Sequence, residues 1–104
     1  MASLQITYWR DLPSLVVARE GTDTVKLPLD ARLQEAIDEA AMRLGDVGSD
    51  AYLAGWRRSE WVHADGTPAE LAAAEAARLE QEWSSARVAD FLDDLGPAPV
   101  EESA

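Results

Sequence analysis

Three observations predict an α+β domain in which a small antiparallel sheet of two or three N-terminal strands packs against three to four C-terminal helices. Residues 4–27 fall into short runs of alternating, β-branched and aromatic side chains separated by turn residues. From Leu29 onward, apolar residues recur at helical spacing. The links between the first runs are far shorter than the crossover of a dozen or more residues that parallel pairing demands.

Residues 4–9 alternate Leu4, Ile6 and Tyr8 on one face with Gln5, Thr7 and Trp9 on the other, and form the first expected strand. The turn chemistry of Asp11-Leu12-Pro13-Ser14 separates it from a second extended run at 15–19, and Glu20-Gly21-Thr22-Asp23 precedes a short third run at 24–27. An isolated hairpin is marginally stable, so one face requires a cover. The cover is a helix over 31–44: Leu29, Leu33, Ala36, Ile37, Ala40, Ala41 and Leu44 fall at helical spacing, with Asp30 as N-cap and Gly45 as C-cap. A loop is expected at 46–48, and Ser49 caps a second helix over 50–60 on which Tyr52, Leu53 and Trp56 share a face. After the break at His63-Ala64-Asp65-Gly66, Thr67-Pro68-Ala69-Glu70 combines an N-cap threonine, proline at the first helical position and glutamate at the third. It opens helical structure over 68–94, with Ser84-Ser85 as a candidate interruption. One domain over 1–96 and a disordered acidic tail over 97–104 complete the expected organisation.

Length and composition agree with a single core: 104 residues, 47% hydrophobic and 28% charged. The formal charge of −11 repels phosphate backbones and anionic lipid surfaces, which argues against nucleic-acid and membrane partners. The charge is uneven, about −3 over residues 1–62 and −8 over 63–104. With no cysteine, disulfides, thiolate metal sites and a cysteine nucleophile are excluded. The start of the chain carries no basic flank ahead of an apolar run, and no stretch approaches the roughly 20 apolar residues that span a bilayer, so the expected location is cytoplasmic.

Catalytic signals are weak. His63-x-Asp65 offers two metal ligands, but a single histidine in a turn beside carboxylates is more often solvated than ligating. Carboxylate pairs such as Asp93-Asp94 arise unavoidably among twenty acidic residues, and no phosphate-binding glycine loop or nucleophile elbow occurs. No catalytic residue, metal or cofactor is assigned, and a conventional enzyme is not expected.

The aromatic and cationic residues are more informative. Four tryptophans exceed what a small core needs, and such rings bury large areas at interfaces. Trp9, Arg10, Asp11, Tyr52, Trp56, Arg57, Arg58 and Trp61 are therefore candidate partner-binding residues, forming an aromatic and cationic patch suited to a carboxylate-bearing partner. Core packing of Trp9 and Trp56, and salt bridges from the arginines to Asp11, Asp50 and Glu60, form the competing reading.

The ordered motifs Thr7-Tyr8-Trp9-Arg10-Asp11-Leu12-Pro13, Glu35-Ala36-Ile37-Asp38, Ala41-Met42-Arg43, Asp50-Ala51-Tyr52-Leu53 and Trp56-Arg57-Arg58 resemble a family of short bacterial "virulence factor" domain proteins. The resemblance implies an association with folate- and corrinoid-dependent one-carbon enzymes, and so an accessory subunit. It supplies no catalytic residue. Three functions follow as expectations: a non-catalytic domain docking on a larger enzyme; a binding domain or minor enzyme holding an anionic, folate-like ligand through Arg10, Arg57 and Arg58; or a homodimer built on the alanine-rich helix.

Overall fold

In a computed structural model of the chain, residues 2–45, 48 and 50–96 are described. Three antiparallel strands come first: β1 (Ala2–Trp9), β2 (Leu12–Glu20) and β3 (Asp23–Pro28). Helix α1 (Ala31–Leu44) and a one-turn helix α2 (Asp50–Ala54) follow. The chain then returns to the sheet as β4 (Trp56–Arg58) and β5 (Val62–Ala64), before α3 (Pro68–Glu82) and α4 (Ser85–Asp94).

The architecture is α+β, but the expected sheet of two or three strands is corrected to five, ordered β3-β2-β1-β4 with β5 also on β1. The helix expected over 50–60 is realised only as α2, with β4 taking residues 56–58 and β5 following beyond it. That helix stops at Ala54 because Gly55 lies directly against the Trp9 ring: a Cβ there would stand 2.5 Å from Trp9 Nε1. The backbone then leaves the helical path, Gly55 O accepts from Arg10 N at 2.8 Å, and residues 56–58 pair with 7–9. The loop at 46–48 and the Ser49 cap fall mostly outside the described residues, as does the tail at 97–104.

β4 and β5 act as one edge strand interrupted by a bulge. Between the pairs Thr7↔Arg58 and Leu4↔Val62, β1 contributes Gln5 and Ile6 while the edge contributes Ser59, Glu60 and Trp61, three residues facing two. The Ser59 hydroxyl accepts from Ile6 N at 2.9 Å and Ser59 N donates to Ile6 O at 2.8 Å, satisfying backbone groups that the bulge strands. A second irregularity leaves Ser14 unmatched between Thr7↔Leu15 and Tyr8↔Pro13, which is how a proline is accommodated inside β2.

Strand alternation sends Leu4, Ile6, Val16, Ala18, Val25 and Leu27 toward the helices, where they meet the buried face of α3 (Ala72, Ala76 and Leu79) and Leu33 and Ile37 of α1. α3 lies across β2 and β3, and α1 packs on β2 and beside α4. Capping sets the helix limits as the residue types require: Asp30 accepts from Arg32 N, Gly45 adopts φ 73°, Thr67 accepts from Glu70 N and Ser84 from Arg87 N. The helical run over 68–94 is thus split at Trp83, whose ring meets Phe91 edge-on at 5.6 Å. Among the described residues no helix is long and apolar enough to cross a membrane.

Candidate functional site

The eight candidate residues divide into two groups. Trp9 is 0% exposed, donates its indole N–H to Tyr52 O at 2.8 Å and stacks at a tilt on the Tyr52 ring at 5.8 Å. Tyr52 meets Trp56 edge-on at 6.2 Å. This triplet fastens α2 and β4 to the end of the sheet, so Trp9 is withdrawn from any partner and its part is internal. Beside it, Arg10 and Asp11 form the tight turn between β1 and β2, with Arg10 at φ 53° and its guanidinium 5.3 Å from the Trp9 ring centre. Arg57 donates through Nε to Arg10 O at 3.0 Å and lies 4.2 Å over Tyr8.

Arg58 and Trp61 belong elsewhere. They lie on the sheet face opposite α3, where they line a shallow depression of about 270 Å³ with Thr7, Leu15 and Val17 on its floor. Arg19 and Lys26 complete it, and the Arg19 guanidinium stacks 3.8 Å over the Trp61 ring. This depression joins a second through Thr7 and Arg58, which adds Trp56 and Arg57, and that one joins a third through Arg57, which adds Arg10. The band formed by these three depressions includes five of the nine basic residues of the chain: Arg19, Lys26 and Arg58 on the open sheet face, Arg10 at the turn, and Arg57, the register partner of Tyr8, on the side that also lines the α3–α4 corner. Among the described residues no aspartate or glutamate lines these three depressions. In a protein of net charge −11, a band with this composition is a local reversal of the field.

The other four basic residues are engaged within the helical layer. Arg32 donates to Trp83 O at 2.6 Å and Glu80 O at 2.7 Å, closing the C-terminal end of α3. Arg43 pairs with Glu39 at 2.9 Å and donates to Leu92 O. Arg78 bridges Glu75 and Glu82, and the hydrogen bond it donates to the Glu75 carboxylate raises its pKa above the ordinary arginine value. Arg87 joins Glu82 at 3.3 Å and covers the Trp83 ring at 4.0 Å. A larger cleft of about 570 Å³ between Tyr8 and the α3–α4 corner holds Arg57, Arg78 and Arg87, but Asp11, Glu82, Asp90 and Asp94 line it as well, so it presents no single sign of charge.

Arg19 and Lys26 were not among the residues singled out from sequence. The usable signal was alternation: Arg19 and Lys26 occupy the same strand face as Val17 and Thr24, opposite the apolar stripe of Val16, Ala18, Val25 and Leu27. His63 stands on β5 opposite Ser3, with Nδ1 3.2 Å from the Ser3 hydroxyl, and no cluster of three or more metal-ligating side chains occurs among the described residues.

Residues 7–92 match the family model described as "Virulence factor". No curated protein and no solved structure matches the chain.

Proposed function

We propose, from the premise that the chain belongs to the virulence factor family, that it is a non-catalytic accessory protein that docks on a larger enzyme through the open face of its sheet. The observation that carries this reading is the depression lined by Arg19, Lys26 and Arg58, with no carboxylate among its described lining residues, on a face that no helix among the described residues covers. Lys26 and Arg58 have no hydrogen-bond or ion-pair partner among the described residues, so a carboxylate-bearing surface pairs with them without first displacing an internal bond. Trp61 and Leu15 add apolar area beside those charges, the combination that concentrates binding energy at protein interfaces. The expected partner, from the family resemblance carried by the Thr7–Pro13 and Trp56–Arg58 motifs, is a folate- or corrinoid-dependent one-carbon enzyme.

The test is affinity purification of the tagged protein from its native host, in parallel with an Arg19→Glu/Arg58→Glu variant. A stoichiometric one-carbon enzyme recovered with the wild type and lost with the variant is the expected result. Recovery that is identical for both proteins sinks the reading. Titration with folates or corrinoids supplies the contrast: a change in tryptophan emission that is abolished by Trp61→Phe would replace protein docking with small-ligand binding at the same face.

A further inference from the structure

We infer that the occupant of the open sheet face is an amphipathic helix from a protein partner, with an apolar stripe flanked on both sides by acidic residues; this rests on the docking reading above and specifies its geometry. The argument begins with where the unpartnered cations stand. Arg58 lies on β4 and Lys26 on β3, the two outer strands of the order β3-β2-β1-β4. Three interstrand steps separate them, about 14 Å across the sheet at the usual spacing of roughly 4.8 Å. Between them the floor is Thr7, Leu15 and Val17, with Trp61 rising at one edge.

Width decides the occupant. An added extended segment is about one interstrand spacing wide and reaches one of the two cations, never both. A helix with its side chains is about 10–12 Å across, so its lower stripe sits on the apolar floor while acidic residues on its two flanks reach Lys26 and Arg58. Length agrees. Along the strands the depression runs from the Thr7–Leu15 pair to Arg19, two same-face steps or about 14 Å, equivalent to roughly three turns of helix. Arg19 closes the far end, with its guanidinium 3.8 Å over the Trp61 ring and its N–H groups able to meet a third carboxylate. α3 already covers the other face of the sheet, so the partner helix would complete a helix–sheet–helix sandwich, a standard way to bury both faces.

The probe is an 18-residue peptide with leucines on one helical stripe and glutamates along both flanks, labelled for fluorescence anisotropy against the full chain. Controls are a scrambled peptide of the same composition, a version broken by two central prolines, and a 12-nucleotide oligothymidylate. The expected result is binding of the helical peptide at least tenfold tighter than either peptide control, and at least tenfold weakened by Lys26→Glu/Arg58→Glu, a variant whose folding is verified by circular dichroism. Equal binding of all three peptides overturns the helical mode and leaves acidic docking standing. Absence of binding by every peptide overturns both. Tighter binding of the oligothymidylate overturns both in favour of a polyanion that the stacked rings and cations accept.

Discussion

Arg32, in the helical layer, donates to two backbone carbonyls at the end of α3, whereas Arg58, on the sheet, has no hydrogen-bond or ion-pair partner among the described residues. The contrast extends to their neighbours. Arg43, Arg78 and Arg87 each pair with a carboxylate, and two of them also donate to carbonyls near helix ends, so the helical layer uses its guanidiniums to satisfy groups that the helices leave open. On the open sheet face Arg19 stacks on Trp61 while Lys26 and Arg58 line the same depression, with no carboxylate among its described lining residues. The same residue type therefore satisfies backbone groups in the helical layer and, under the docking proposal, serves contact at Arg58 on the sheet, and single substitutions separate the two roles.

The largest effect is expected at the aromatic fastening. Trp9→Ala should lower stability by about 3–5 kcal/mol, since it empties a fully buried site and leaves Tyr52 O without its donor; chemical denaturation measures this. Gly55→Ala comes next, at about 1–3 kcal/mol, because the added methyl meets the indole and neither the ring nor the strand has room to give. Arg32→Ala should cost about 1.5–3 kcal/mol, with amide exchange accelerating first at the end of α3, as a charged hydrogen-bond donor to two carbonyls is removed. Arg58→Ala should change stability by less than about 0.5 kcal/mol while weakening partner binding, and that binding should fall further as salt rises. A loss of stability at Arg58 equal to that at Arg32 would collapse the distinction between the layers.

The helical layer was largely legible in the sequence. The 31–44 helix follows from its apolar stripe and from Asp30 and Gly45, and the Thr67-Pro68-Ala69-Glu70 start is found where those residues place it. The first three strands were legible from alternation, with ends extended by one to three residues. The fourth and fifth strands were not, because a three-residue strand is too short to show a period and Tyr52, Leu53 and Trp56 mimic a helical face. What ends that helix is the approach of Trp9 to Gly55, a contact across more than forty residues; a lone glycine in a helical pattern was the only local sign. The candidate site was half legible for the same reason. Arg58 and Trp61 stood out by their type, but Arg19 and Lys26 join them only once the register brings distant strands side by side.

The bulge at Ser59-Glu60-Trp61 has a consequence for life in a crowded solution. An uninterrupted outer strand presents a regular row of amides that any extended chain will extend by pairing, the route by which sheets polymerise. Here the extra residue breaks that row, and the Ser59 side chain occupies the ladder position itself. Exposed Val62 therefore flanks an irregular template. The β4–β5 edge of the sheet thus resists indiscriminate growth.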